Sequence, residues 1–309
     1  MDDLRTDEDD NPPLTRRDRA LGLLSFAFIL DEVATGIESL APLDAMLVMA
    51  INQANIAPLT REPLARMRYG RMEAAAPDAR RRPVSINAVA ASLRLPFETT
   101  RRRVRRLQDA GACAAVEGGV IVPEEFLTSP GYVQSVFENH NRLRAFFYEA
   151  NAAGLVDELP RSAYPPEATV PVRAAARLLS DYMLRTLDMV MGITGDVVGV
   201  LVLLAALGSL DHPQSIAAIA QRLRMPPETV RRHVNELVDR GLCVRDQRGV
   251  DVPEEFLDRP LWRAFLRDNA VNVQRLFAGL AERGVIEAWF RLTPPMRADV
   301  SQARSSSGA

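Results

Sequence analysis

The chain has 309 residues, 47% of them hydrophobic and 25% charged, which is enough apolar content for two ordinary globular domains. A net charge of −2 and a pI near 6.0 exclude a wholly basic protein, so any charge meant for nucleic acid has to be local. No lysine occurs; all 38 positive residues are arginine. A GC-rich coding bias accounts for that composition as a whole, and only the placement of the arginines carries functional weight.

In chain order, residues 1–13 read as a disordered acidic tail. An apolar run follows at Ala20–Leu30, then a second apolar segment at Ala45–Ile56 and an arginine-rich insertion at Thr60–Arg82, expected to form a loop or short helix. A motif occupies 83–127, and Gly131–Ala153 reads as a long amphipathic helix. Prolines crowd 159–171, which reads as a linker. Next come an apolar run from Val197 to Leu210, bracketed by Asp196 and Asp211, a second motif at 213–257, and another long helix at Leu261–Arg283. Residues 293–309 read as a flexible tail. The apolar runs fall short of the roughly 20 residues a spanning helix needs, so they read as core helices and no membrane is expected. The organisation expected is a first domain at 14–158 and a second at 172–292.

The two motifs are copies of one another. Residues 83–127 align without a gap to 213–257, at an offset of 130, and 25 of the 45 positions are identical. The same offset pairs Asn139 with Asn269, Phe147 with Phe277 and Gly154 with Gly284, so the repeat runs into the long helix that follows.

Within a copy the local signals come in a fixed order. Ser215 is an N-cap, and Ile216, Ile219, Ala220 and Leu223 follow at helical spacing. Arg224-Met225-Pro226 breaks that helix. A second begins near Pro227, carries the stripe Val230, Val234, Leu237 and Val238, and stops at Gly241. Leu242–Arg245 and Val250–Val252, joined through Asp246–Gly249, form a short hairpin. The first copy repeats these features, with Gly118-Gly119 at the hairpin turn. The fold class expected is therefore mainly α: two tandem winged helix-turn-helix domains with two-stranded wings and long flanking helices. The run Ser-Ile-x-x-Ile-Ala-x-x-Leu, then Pro-x-Glu-Thr-Val-x-Arg-x-Val-x-x-Leu-x-x-x-Gly-Leu, from Ser215 to Leu242, resembles the winged-helix regulators of the MarR and IclR families. MarR-type members flank the motif with dimer-building helices, which the resemblance implies for both halves here. The chain departs from them in its short wing and its fused units, and it shows no separate ligand domain of the IclR kind.

A helix-turn-helix presents its second helix to the major groove. With the buried stripe removed, the outward residues are Glu98, Thr99, Arg101, Arg102, Arg105 and Arg106 in the first copy, and Glu228, Thr229, Arg231, Arg232, Asn235 and Glu236 in the second. Arg245 and Arg248 add a basic wing in the second copy. Arginine reads guanine bidentately, threonine reaches a phosphate or a thymine methyl, and glutamate accepts from cytosine. Between Arg80 and Gln108 nine arginines face one acid, Glu98. Arg105 and Arg106 are expected to hold phosphates, and Arg101–Arg102 with their twins Arg231–Arg232 to read bases, so that the first copy supplies more of the electrostatic affinity.

The remaining residues point away from other chemistries. His140, His212 and His233 are scattered without metal-ligand spacing, and no GxSxG, P-loop or Rossmann pattern occurs, so neither an enzyme nor a cofactor is expected. His233 is expected to pack beside the core. Cys113 and Cys243, equivalent positions outside any CxxC pattern, are expected to be buried and inert in a reducing, cytoplasmic setting. Phe146, Phe147 and Tyr148 read as core or helix-packing residues, with an effector pocket as the alternative. The function expected is a transcriptional regulator of double-stranded DNA, built as a pseudo-dimer. Self-association into a homodimer and the identity of any small-molecule effector are left open. The competing reading is a winged-helix module for protein–protein assembly.

Overall fold

The computed structural model describes residues 14–37, 40–166, 168–207 and 213–292. The expected tails at 1–13 and 293–309, together with Asp211 and His212, lie outside the described residues. The first half begins with α1 (Arg16–Thr35), capped by Thr15, whose hydroxyl accepts from the Asp18 N–H. It continues through α2 (Pro42–Arg61) to α3 (Pro63–Arg68), which with a 3-10 turn at Asp78–Arg80 fills the insertion. Then follow α4 (Ile86–Ser92), α5 (Phe97–Asp109), the antiparallel pair β1 (Ala114–Val116) and β2 (Gly119–Ile121), the short α6 (Glu124–Thr128) and the long α7 (Pro130–Ala152). The second half repeats the order with α8 (Val172–Thr194), α9 (Val197–Leu207), α10 (Ile216–Leu223), α11 (Pro227–Asp239), β3 (Val244–Arg245), β4 (Val250–Asp251) and α12 (Pro260–Glu282). It ends in α13 (Val285–Leu292), an element with no counterpart in the expectations.

The same local devices shape α4–α5 and α10–α11. Ser85 and Ser215 cap α4 and α10 by accepting from Ala88 N–H and Ala218 N–H. The chain then reverses through a left-handed residue, Arg94 at φ 49° and Arg224 at φ 50°. The buried stripes of the second helices match as well: Thr100, Val104 and Leu107 on α5, and Val230, Val234 and Leu237 on α11. Each wing gains a third, single-residue partner that the sequence did not announce, Val84 against Val120 and Gln214 against Val250.

That third partner explains the wing glycines. Gly119 has φ +149°, and a Cβ there would sit 2.3 Å from the Val84 carbonyl oxygen; Gly249 has φ +141° and would meet the Gln214 carbonyl oxygen at 2.6 Å. Both the angle and the close approach require glycine. Gly119→Ala is expected to destabilise the protein by about 1–3 kcal/mol, and Gly118→Ala, whose Cβ would meet only Pro83 at 3.8 Å, by less. Urea unfolding midpoints of the two variants check the ranking.

A single large hydrophobic cluster draws residues from both halves. Every residue of α9 is buried, and the helix is wedged among α8, α10 and α11 with α2 alongside. Helix α1 lies along α12 and α7, while α8 lies along α12 and α7. Each long helix of one half therefore has a partner in the other. The equivalent residues Phe147 and Phe277 meet edge to face at 5.2 Å between ring centroids. Phe146 stacks on Phe28 at 4.6 Å, and half-buried Tyr148 packs against Phe290, so the aromatic group on α7 serves helix packing. Trp289 of α13 closes this region and donates its indole N–H to His140 Nε2 at 3.0 Å. Burial, with Arg144 nearby, drives His140 down to about 4, which keeps that nitrogen free to accept.

Among the described residues no single helix is long and apolar enough to cross a membrane; α8 and α9 together pass on composition but bend by 96°. Among the described residues of the proline-rich segment, 155–166 and 168–171, there is no helix or strand. It is nonetheless fastened at both sides: Ala163 N–H donates to the Glu282 carbonyl at 2.9 Å, and Arg66 Nε–H donates to the Tyr164 hydroxyl at 2.6 Å.

Candidate nucleic-acid interface

On α5 the side chains of Glu98, Arg101, Arg102, Arg105 and Arg106 are exposed and Thr99 is half-buried. On α11 the pattern is the same: Glu228, Arg231, Arg232, Asn235 and Glu236 are exposed and Thr229 is half-buried. The wing arginines Arg245 and Arg248 are exposed too. The helix residues expected at the interface thus lie on the side of α5 or α11 away from its buried stripe, and the two wing arginines lie on the hairpin.

Their present partners differ between the copies. In the second, Arg231 pairs with Glu228 at 2.6 Å, Arg232 with Glu236 at 3.7 Å and Arg248 with Asp246 at 2.9 Å, while Arg245 donates to Asn235 Oδ1 at 3.2 Å. In the first, Arg101 pairs with Glu98 at 2.8 Å and Arg106 lies 3.9 Å from Asp44. Arg102 and Arg105 make no ion pair with any described residue. Exposed pairs of this kind contribute little to stability and exchange readily for another anion.

Three arginines counted in the basic stretch of the first copy are turned to other uses. Arg81 is 5% exposed and donates to Asn52 Oδ1 at 3.1 Å and to the Ala76 carbonyl at 2.8 Å. Arg94 reaches across to the second half, donating to the Met191 carbonyl at 2.9 Å and to Asp188 at 3.3 Å. Arg103 is held by Asp44 of α2 at 2.7 Å with both side chains largely buried. The local positive charge is smaller than the bare count, and it is concentrated on the outer face of α5.

The Arg103–Asp44 pair has a counterpart that the sequence reading did not find. His233, the residue equivalent to Arg103, is 2% exposed; its Nδ1 faces the Thr229 carbonyl at 2.8 Å and its Nε2 faces Asp196 at 3.3 Å. Each of α5 and α11 is therefore clamped to an acid at the start of the preceding core helix, α2 or α9. Burial pulls the imidazole down, but the bonds to Asp196 and Thr229 and the Asp196 charge outweigh it and leave His233 above its ordinary 6.5. The Asp196 carboxyl is opposed by burial too, yet the His233 bond and the Gly199 N–H hold it below its ordinary range. The stability supplied by His233 is fully present below pH 6.5 and is lost as pH rises through its raised folded value. The wild-type melting temperature is therefore expected to fall across the range above pH 6.5, and His233→Gln to flatten that fall. Melting curves from pH 5.5 to 8.5 check this; parallel curves for the two proteins would count against the clamp.

Two further groups support the motif from behind. Buried Asn55 of α2 donates to the Arg82 and Val120 carbonyls at 2.8 and 3.2 Å and accepts from Val122 N–H at 2.9 Å, fixing the first wing to the core. Cys113 and Cys243 are both buried, and burial pushes both thiols up to about 12, which suits inert packing residues.

The family model described as the IclR helix-turn-helix domain matches residues 200–247, from within α9 through α10, α11 and β3 into the wing turn. Comparisons with curated proteins and with solved structures gave no match. The matched segment supports a winged helix-turn-helix of the kind found in DNA-binding transcription regulators.

Proposed function

We propose that the chain is a sequence-specific regulator of transcription that binds double-stranded DNA through two winged helix-turn-helix units, one in 14–158 and one in 172–292, joined by 159–171 and arranged as an internal pseudo-dimer. The observation that carries the reading is the repetition, on α5 and α11, of one exposed Glu-Thr-x-Arg-Arg face over one buried stripe. The family match to 200–247 supports it for the second unit, and the 130-residue offset extends it to the first. The cross-half contacts of α1 with α12 and of α7 with α8 support the pseudo-dimer, because two-fold DNA readers place paired recognition helices on one face of the duplex. In this reading Arg101, Arg102, Arg231 and Arg232 meet base edges, and Arg105, Arg106, Arg245 and Arg248 meet phosphates.

Selection of bound sequences from random duplex DNA, followed by gel shifts of the selected site from 50 to 200 mM salt, tests the proposal. Enrichment of a site with two related half-sites is expected, with affinity falling steeply as salt rises. No enrichment, or binding indifferent to salt, overturns it in favour of the protein–protein module.

A further inference from the structure

Between the halves, away from α5 and α11, two clefts share the lining residues Tyr132, Val136, Ala176 and Ser180 and so form one continuous groove. Its walls are α2 and α7 of the first half and α8 of the second. One arm is mostly apolar, lined by Met46, Met49, Leu179 and Met183. The other gathers Arg81, Arg173 and Arg177 around Tyr132 and Asn52, with no carboxylate among the described residues that line it.

The three guanidinium groups stand differently. Arg81 is engaged with Asn52, Ala76 and Asp78. Arg173 donates to the Met72 and Leu127 carbonyls at 2.8 and 2.9 Å. Arg177 uses only its backbone carbonyl, which accepts from Gln53; its guanidinium has no hydrogen-bond or ion-pair partner among the described residues. Asp78 and Glu124 act on Arg81, and Glu124 and Glu73 on Arg173, whereas the side chains acting most on Arg177 are Tyr132, Arg173, Arg81 and Arg283. Burial, followed by Arg173, Arg81 and Arg283 against the opposing pull of Tyr132, pushes Arg177 down to about 10. A guanidinium that stands beside two others in a half-buried cleft, without a protein partner among the described residues, is left for an anion to complete. At the far end of the apolar arm Glu32 is bound by Arg142 at 2.8 Å, so the carboxylate there is neutralised by its own partner.

We propose that this groove binds an amphipathic organic anion, a carboxylate with an unbranched apolar chain, its head on the Arg177 fork beside Arg173 and Tyr132 and its chain along the methionines of the other arm. A planar guanidinium suits a carboxylate bidentately, and unbranched methionine side chains adapt to a chain of variable shape. Isothermal titration of the full chain without DNA tests it, so that its failure says nothing about DNA binding. The probes are octanoate, octan-1-ol and inorganic phosphate. Octanoate is expected to saturate one site, with the alcohol and phosphate each at least tenfold weaker. Arg177→Gln is expected to weaken octanoate at least tenfold while leaving the melting temperature unchanged or higher, since no partner is lost. Arg177→Lys, which keeps the charge without the fork, should fall between the two and serves if the glutamine variant does not fold. Non-saturating octanoate, equal binding by phosphate, or wild-type affinity in both variants overturns the site.

Discussion

Arg105→Ala combined with Arg106→Ala is expected to weaken binding to every DNA sequence alike, roughly 10- to 100-fold near physiological salt, and to flatten the salt dependence. Both side chains are exposed on the outer face of α5. Each phosphate neutralised adds about 0.9 to the slope of log affinity against log salt, so losing two contacts lowers it by about 1.8. The shares are unequal. Arg106 already lies 3.9 Å from Asp44, whereas Arg105 has no ion pair among the described residues, so Arg105→Ala alone should produce the larger part. Arg231→Ala is expected to behave differently. That residue is paired with Glu228 at the start of α11, where the proposed docking meets base edges, and its loss should cost about 1–3 kcal/mol on the preferred site and relax preference at one position of one half-site. Gel shifts of each variant on selected and scrambled duplexes, at several salt concentrations, separate the two effects. An unchanged affinity and slope in the double variant would mean that α5 does not dock as proposed.

The parts of this fold that were legible in the sequence are those fixed by neighbours a few residues away. Ser85 and Ser215 mark helix starts because an N-cap bonds to a backbone N–H three residues on. The stripes Val104–Leu107 and Val230–Leu237 are readable because helical periodicity is local. The direction of an arginine is not local. Arg103 looks like its neighbours Arg102 and Arg105 until Asp44, 59 residues earlier, is brought against it, and Arg94 reads as part of a basic face although its partners, Asp188 and Met191, belong to the other half. The clamp of His233 on Asp196 escaped for the same reason, though a histidine standing where the repeat has an arginine, with an aspartate at the start of each core helix, was a usable hint. The third strand partner of each wing is one residue long, too short to leave an alternating pattern. The groove around Arg177 lies between helices from both halves, so no window of sequence contains it.

Phe147→Ala is expected to destabilise the whole chain by about 3–5 kcal/mol, the range for deleting a fully buried phenylalanine and leaving a cavity that its surroundings only partly refill. Phe147 is 0% exposed, and its ring lies 5.2 Å from Phe277, 5.7 Å from Trp289 and 6.1 Å from Phe290 between centroids. All three neighbours belong to the second half, so the cavity opens at the junction of the halves rather than inside one of them. Phe137, ten positions earlier on the same helix, is 41% exposed, and Phe137→Ala should change stability by much less. Because one hydrophobic cluster spans both halves, urea is expected to unfold the protein in one transition, which Phe147→Ala shifts as a unit to lower concentration without splitting. Far-UV circular dichroism follows all the helices, and tryptophan fluorescence reports on Trp262 and Trp289 in the second half. The two signals should stay coincident in the variant. Two resolved steps, with only the first half's helices melting early, would mean that α7 and α12 do not share a cooperative core. Helices α5 and α11 would then be joined by the linker alone, and the pseudo-dimer proposed here would lose its physical basis.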